Sequence, residues 1–223
     1  MAKLREREVV RRTAEYVKKK LAGDSSGHDW FHCYRVARIG GDIARCEGAD
    51  IYVVQLSGWL HDIADYKLHR GDEEMGPRLA GEWLRKLRVD SETISHIQEC
   101  IRFSAFKGKN TPVVIPTLEG RCLFDADKLD ATGAIGIARC FAFGGRYGNV
   151  MYDPSIPANP DISEEEYKKA RSTQINHFYE KLLLLKDLMK TKTGKRMAQP
   201  RHRFMERFFS IETMVLPITP FGL

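Results

Sequence analysis

The strongest constraint on the fold of this chain is an apolar segment, DIYVVQLSGWLHDIAD, that ends in charged residues. Across residues 50–65 the apolar side chains cover almost every side of a helix rather than one face. Such a helix is typical of a position surrounded by other helices. We therefore expect His61 and Asp62 to lie inside the protein, where a carboxylate needs a partner cation, either a basic side chain or a metal.

The remainder of the chain also shows helical spacing, and no run of alternating apolar and polar residues is bounded by hairpin turns. The sequence therefore predicts an all-α fold, a bundle of about eight to nine helices. With 223 residues, 43% of them hydrophobic, the chain can form one domain spanning residues 1–223. The predicted helices cover residues 4–21, 29–46, 50–65, 72–88, 90–104, 117–128, 131–142, 163–190 and 193–210.

Three longer loops separate these helices. The first is GDSSG at residues 23–27, and the second is the turn-rich KGKNTPVVIP at residues 107–116. The third, residues 144–163, is rich in Gly and Pro and is long enough to cover a site. Ser163 followed by Glu166 predicts a capping box at the start of the next helix.

The net charge of +6 is concentrated at the two ends of the chain. Residues 1–20 hold eight Lys/Arg against three Glu, and residues 186–207 hold eight Lys/Arg against two acids, so the middle is acidic. Neither basic segment is interleaved with the aromatic residues that stack on nucleic-acid bases. The distribution favours solvated helix faces over a nucleic-acid partner.

The cysteines and the N-terminus indicate a reducing compartment. The five cysteines are an odd number, widely spaced and without a C-x-x-C pair, which predicts reduced thiols that are mostly buried. The N-terminal segment lacks a signal-peptide apolar region, and no apolar run has the roughly 18 residues of a membrane span. We expect a cytoplasmic protein without a membrane partner.

An isolated His-Asp pair is better explained by a histidine–aspartate pair or an internal salt bridge, so a metal site requires further ligands. His32, in the amphipathic segment GHDWFHCYRVARIGGDIA, is one candidate. The segment CLFDADKLDATGAIGIAR adds three aspartates, of which at least one is expected to cap a helix. They are Asp125, Asp127 and Asp130.

The combined donors are typical of a catalytic metal site. Two neutral imidazoles and two carboxylates suit Mn²⁺, Fe²⁺, Co²⁺ or Ni²⁺, and Mg²⁺ remains an alternative if oxygen ligands dominate. Four protein ligands in an octahedral shell would leave about two positions for water or substrate. The predicted bundle would then surround a buried metal site that is open to substrate.

In this order the residues resemble the HD-domain superfamily of metal-dependent phosphohydrolases, whose pattern is H…HD…D on an all-α fold. The first histidine of the pattern matches His32, the doublet matches His61 and Asp62, and the last aspartate matches Asp127. The resemblance covers residues 28–142. It continues more loosely into INHFYEKLLLLKDLM and GKRMAQPRHRFMERF, within residues 163–210 that are expected to pack on this core, and is similar there to a small bacterial branch that includes nucleotide pyrophosphohydrolases.

The resemblance also implies catalytic roles for two further residues. Asp65, one predicted helical turn after His61, matches an acid of the HD-type alarmone hydrolases and could accept a proton from the attacking water. Its alternative role is to orient a ligand histidine. Lys128 resembles a position that contacts substrate phosphate, with an exposed lysine as the alternative.

Three other residues have weaker predicted roles. Lys67 and Arg139 are further candidates for contact with a substrate phosphate. His28 is either an additional phosphate contact, a group that supports a ligand, or an ordinary residue at a helix start.

The function that the resemblance implies is hydrolysis of a nucleotide by attack of water at phosphorus. We expect a nucleoside triphosphate pyrophosphohydrolase that needs a divalent metal ion. The alternatives are a 5′-nucleotidase or phosphodiesterase of the same fold, and a non-catalytic regulator that binds metal and nucleotide. The sequence does not determine the oligomeric state, and a homo-oligomer is one alternative.

Overall fold

Helices are the only regular elements in the part of the chain that the computed structural model describes, which comprises residues 2–64, 72, 74–104, 114–159 and 172–212. The all-α prediction is therefore confirmed. The elements are α1 (Ala2–Lys20), α2 (Trp30–Glu47), α3 (Ile51–Leu60), α4 (Met75–Lys86), α5 (Ser91–Arg102), α6 (Leu118–Asp130), α7 (Gly133–Tyr147), α8 (Gln174–Glu180), a 3-10 helix (Leu182–Leu184), α9 (Leu185–Leu188) and α10 (Lys192–Glu212).

Short polar side chains fix where the central helices begin. The carboxylate of Asp29 accepts a hydrogen bond from the backbone N–H of His32 at the start of α2, and Asp50 caps α3 in the same way. The hydroxyl of Thr117 accepts from the N–H of Gly120 in α6. Each cap satisfies a donor that the helix leaves unpaired, so these sequence signals set the starts of the helices that carry the site.

The centre of the molecule is the packing of α2, α3 and α6 against one another. Helix α3 is buried on most of its surface, as its apolar sequence predicts: seven of its ten residues are buried. Removing this much apolar area from water supplies the main driving force for the packing. The largest fully buried side chains of these three helices are His32, Ile43, Leu56, Leu60, Leu123 and Leu129.

Small residues let α2 and α3 approach closely. A Cβ atom added to Gly58 would lie 2.7 Å from the Cα of Ala37, a distance that real contacts do not show. Only a glycine therefore fits on α3 at this crossing. His61 follows three residues after the crossing, so the close approach carries it towards α2.

The C-terminal helices share the same apolar core. Phe178, Leu185 and Met205 are fully buried and belong to the cluster that includes the central helices. Helix α10 packs against α7, α6 and α2. The segment just before α10 is attached to α6 by Asp125, whose carboxylate accepts hydrogen bonds from the N–H groups of Lys190 and Thr191 at 2.8 Å.

One predicted helix boundary is wrong at the site itself. The helix predicted for residues 50–65 ends at Leu60, and His61 and Asp62 lie in the turn that follows. The Nδ1 of His61 hydrogen-bonds to the carbonyl of Gly58 at 2.9 Å, which satisfies an acceptor in the last turn of α3. His61 keeps helical backbone angles, φ −63° and ψ −28°, so the doublet continues directly from the last turn of α3.

The second half of the chain differs from prediction in two further places. The predicted helix 163–190 is interrupted where Lys181 adopts non-helical angles, φ −144° and ψ −62°, before the 3-10 helix. The predicted loop 144–163 starts later, because α7 continues to Tyr147. Gly148, with a positive φ of 68°, forms its C-cap. The predicted capping box at Ser163 lies outside the described residues.

The cysteines are mostly buried, as the sequence predicts. All five cysteines are free thiols, and Cys46 is exposed whereas the other four are buried. Among the described residues, no helix combines the length and apolar character needed to cross a membrane.

Candidate metal centre

The structure brings the four predicted metal ligands together. His32 extends from α2, His61 and Asp62 follow α3, and Asp127 lies on α6. The two Nε2 atoms of His32 and His61 are 3.1 Å apart. From the Nε2 of His32, a carboxylate oxygen of Asp62 and one of Asp127 both lie at 3.5 Å. His32 thus belongs to two groups of possible ligands, one with His61 and Asp127 and one with His28 and Asp62, and within each group the donor atoms lie within 4.8 Å of one another.

Hydrogen bonds on the outer side of each imidazole fix its orientation. The Nδ1 of His61 faces the backbone carbonyl of Gly58, which can only accept, so this nitrogen carries the proton. The Nδ1 of His32 lies 2.7 Å from a carboxylate oxygen of Asp130, which fixes the same tautomer. In their neutral forms, both rings therefore turn the lone pair of Nε2 towards the other ring.

The charges of the site favour a bound cation. Burial, together with the charge of Arg139, lowers the pKa of His32 to about 4. Burial opposes ionisation of Asp62, but the positive charges of His28 and His61 outweigh it and hold the pKa of this carboxyl well below its usual range. The pKa of Asp127 is likewise lowered, since Lys128 and His61 outweigh the effect of burial. The carboxylates are therefore ionised at neutral pH, which is the state that binds metal.

The pKa of His61 shifts in the opposite direction to the pKa values of Asp62 and Asp127. Burial disfavours its charged form, but the carboxylates of Asp62 and Asp127 outweigh burial and raise the pKa of His61. The negative charge of the site thus attracts positive charge to its centre. A proton is one such charge, and a divalent cation is a stronger one.

The donor set fits a divalent cation. Two facing nitrogen lone pairs repel each other unless a positive charge lies between them. Ligands that bind an ion at about 2.1 Å side by side lie about 3–3.5 Å apart, and the donor separations here have that size. Nitrogen and carboxylate donors in equal number suit the first-row divalent ions. Metal would be held by His32, His61, Asp62 and Asp127.

Two neighbouring residues contact the ligand carboxylates. His28 precedes α2 and places its Nδ1 2.6 Å from a carboxylate oxygen of Asp62. Lys128 is buried, and its Nζ donates to Asp127 and to the carbonyl of Ser104, each at 2.7 Å. His28 therefore supports a predicted ligand, and the ammonium of Lys128 lies at the site.

Two residues at the outer edge of the site have contacts with His32 or its partner that the sequence did not indicate. The carboxylate of Asp130 is bonded to His32 and also accepts from Arg35, with a separation of 2.6 Å from the Nε of that arginine. The spacing of Arg35, three residues after His32 on an amphipathic helix, places the two side chains on one face. That spacing was the available signal for Arg35. Asp130 was recognised only as one acid among three.

The remaining predicted residues divide into two groups. Asp125 faces away from the site and is bonded to the segment that precedes α10. Arg139 donates to Asp130 and to the carbonyl of Gly27. Asp65 and Lys67 lie outside the described residues, so their roles stay predictions.

Comparison with protein families agrees with this geometry. The model of the HD-domain family matches residues 30–132, a range that contains all four predicted ligands. The uncharacterised protein YpgQ of Bacillus subtilis (strain 168) is 34% identical over 209 residues, which cover 93% of this chain and 92% of that protein. The chain belongs to the HD-domain family. The recognition of this family from the sequence is thus confirmed.

Solved structures of similar proteins match nearly the whole chain. A protein from Lactobacillus plantarum superposes with a TM-score of 0.79 at 34% identity, covering 93% of this chain and 97% of that one. An HD-superfamily hydrolase from Bacillus thuringiensis has a TM-score of 0.71 at 37% identity, covering 96% and 100%. These relationships support a hydrolase of the HD superfamily.

One structure of a relative contains a nucleotide. Bacillus subtilis YpgQ has been crystallised in complex with ADP. That structure superposes with a TM-score of 0.72, covers 94% of this chain and 98% of its own, and is 27% identical in the structural alignment.

Proposed function

We propose that this protein is a metal-dependent phosphohydrolase that acts on nucleotides, and specifically that it hydrolyses nucleoside triphosphates to release pyrophosphate. The observation that carries the proposal is that the Nε2 of His32 lies within 3.5 Å of the second imidazole nitrogen and of both ionised carboxylates. The complex of YpgQ with ADP supports a nucleotide as the ligand class. Membership of the HD-domain family supports hydrolysis as the reaction class.

The residues of the site have separate roles in the reaction. When bound, a divalent cation supplies a Lewis acid that polarises a phosphoryl oxygen and lowers the pKa of water. His32, held neutral by burial, and the ionised Asp127 provide donors of the required protonation state. The buried walls formed by α2, α3 and α6 exclude bulk water from the inner side of the site.

Two residues are proposed to act directly on the reactants. Asp65 is the proposed acceptor for the proton of the attacking water, on the basis of its sequence position after the His61-Asp62 pair. Lys128 is the proposed phosphate contact. An ammonium group has three N–H donors, and the bonds to Asp127 and Ser104 use two of them, so one donor remains for a phosphate oxygen in that arrangement.

The proposal is tested with metal-replete protein on a panel of nucleoside triphosphates, diphosphates and monophosphates together with cyclic dinucleotides. We expect release of pyrophosphate from a triphosphate, identified by phosphorus NMR. The matched control is Asp127→Ala, which should release none. Lack of hydrolysis of every compound by wild-type protein with bound metal would refute the proposal.

Other products would identify the alternatives. Phosphate from a monophosphate would indicate a 5′-nucleotidase, and a linear dinucleotide would indicate a phosphodiesterase. Tight nucleotide binding in calorimetry without turnover would indicate a non-catalytic regulator. Each of these results would replace the pyrophosphohydrolase assignment.

A further inference from the structure

Arg139, on α7, lies at the start of a hydrogen-bonded chain that ends on a predicted metal ligand. Its Nη1 donates to a carboxylate oxygen of Asp130 at 3.0 Å. The same oxygen lies 2.7 Å from the Nδ1 of His32, on the opposite side of the ring from the metal-facing Nε2. A displacement of Arg139 would therefore reach His32 through one shared acceptor.

A second chain runs from the same guanidinium to another ligand. The Nε of Arg139 donates to the backbone carbonyl of Gly27 at 2.7 Å. The next residue, His28, places its Nδ1 2.6 Å from a carboxylate oxygen of Asp62. Gly27 has a φ of +85°, and a Cβ there would lie 3.2 Å from the Cγ of Arg139. The glycine thus permits both the backbone turn and the close contact.

The surroundings of Arg139 favour a role in holding neighbouring residues in place over contact with substrate. Its side chain is 13% exposed, and that of Asp130 is 2% exposed. A guanidinium presents its donors in a fixed plane, so bonds from Nε and Nη1 define the positions of both acceptors relative to α7. Arg35 also donates to Asp130, but from α2, the helix that carries His32 itself.

We propose that Arg139 is a positioning residue that aligns two metal ligands at once, His32 through Asp130 and Asp62 through the Gly27–His28 segment. This role is an alternative to the weaker expectation that Arg139 contacts a substrate phosphate. The inference rests on the proposed metal site, and it does not depend on which phosphorylated compound is hydrolysed. Outer partners of metal ligands typically change metal affinity by about 10–100-fold when they are replaced.

The test compares three Arg→Lys variants by calorimetric titration of Mn²⁺ into metal-free protein. Arg139→Lys keeps the charge but cannot donate to Asp130 and to the carbonyl of Gly27 in the planar geometry of a guanidinium. We therefore expect Mn²⁺ to bind about 10–100-fold more weakly. Arg35→Lys affects only one chain and should weaken binding less. Arg146→Lys, at an exposed position on the same helix, should leave the affinity unchanged. Circular dichroism verifies that the helix content is retained.

Two results would overturn the proposal. One is an Mn²⁺ affinity for Arg139→Lys that equals that of Arg146→Lys. The other is a rise in KM for the substrate with unchanged Mn²⁺ affinity, which would make Arg139 a phosphate contact. Failure of wild-type protein to hydrolyse nucleotides would refute the proposed function while leaving the Mn²⁺ comparison valid.

A second variant keeps the test decisive if Arg139→Lys does not fold. Gly27→Ala strains the backbone at a positive φ and crowds Arg139, so it disturbs the second chain while preserving the arginine. We expect Mn²⁺ to bind more weakly to this variant than to wild-type protein. An affinity equal to that of wild type would contradict the two-chain arrangement.

Discussion

The two sides of α6 use the same residue type for different purposes. Asp125 points to the C-terminal region, where its carboxylate accepts hydrogen bonds from two backbone N–H groups and from the hydroxyl of Thr191. Asp127 points to the metal centre, where His32 and His61 lie within 3.7 Å of its carboxylate. The partners on the first side satisfy a buried charge within the protein, whereas those on the second side assemble a place for a cation.

This difference predicts that stability and metal binding can be separated by substitutions only two residues apart. On the side of α10, loss of the carboxylate leaves backbone donors without an acceptor. On the side of α2 and α3, loss of a ligand removes one donor atom from a cluster in which lone pairs and carboxylates repel one another. The first change should lower the stability of the fold, and the second should abolish metal binding while the helices persist.

The largest effect is expected for His61→Ala and Asp127→Ala. Each variant removes one of four proposed ligands, so the loss of metal affinity should exceed the roughly 10–100-fold effect of an outer partner. Turnover should fall to background. Calorimetry with Mn²⁺ and a hydrolysis assay measure the two effects, and circular dichroism should show that helix content is retained. Full activity in either variant would contradict the ligand assignment.

The next effect is expected for Asp65→Asn. If Asp65 accepts the proton of water, kcat should fall by about 10²–10⁴-fold while Mn²⁺ affinity is retained. The measurement is steady-state kinetics at saturating metal, together with calorimetry. A parallel loss of metal affinity would instead assign Asp65 to orientation of a ligand histidine.

A smaller effect is expected for Lys128→Met. Loss of a hydrogen bond from a charged group to phosphate costs about 1.5–3 kcal/mol, so kcat/KM should fall by roughly 10–150-fold. Because Lys128 also neutralises Asp127, calorimetry must accompany the kinetics. An unchanged kcat/KM would remove Lys128 from substrate binding.

Asp125→Ala should have the smallest effect on chemistry and a clear effect on stability. The unpaired backbone donors cost about 1–3 kcal/mol each, and a loss of 1 kcal/mol lowers the Tm of a chain of this size by about 2–4 °C. Asp187→Ala, which removes an exposed carboxylate bonded to its neighbour Lys186, is the matched control and should leave the Tm nearly unchanged. Equal Tm values for the two variants would contradict the structural role of Asp125.

The sequence predicted which side chains come together at the site better than it predicted their hydrogen-bond partners. The order of His32, the His61-Asp62 pair and Asp127 identified the family, because these residues occur in recognisable local segments. Asp130 acts through His32, 98 positions away in the chain, and Arg35 acts through Asp130, so neither role is visible in any local pattern. These contacts exist only after α2 and α6 have packed together.

Helix boundaries were predictable where a capping residue marks them and unreliable elsewhere. Asp29, Asp50 and Thr117 mark the starts of α2, α3 and α6 to within one residue of prediction. The end of α3 at Leu60 has no Gly or Pro to signal it, since the apolar pattern continues through the charged doublet. The break at Lys181 is hidden in the same way by the run LLLL that follows it.

The most direct test of the central claim is a crystal structure of wild-type protein grown with Mn²⁺, with anomalous diffraction used to locate the ion. We predict one anomalous peak about 2.0–2.2 Å from the Nε2 atoms of His32 and His61 and from carboxylate oxygens of Asp62 and Asp127. A peak at some other position, or one that contacts neither histidine, would contradict the proposal that these four side chains hold the metal.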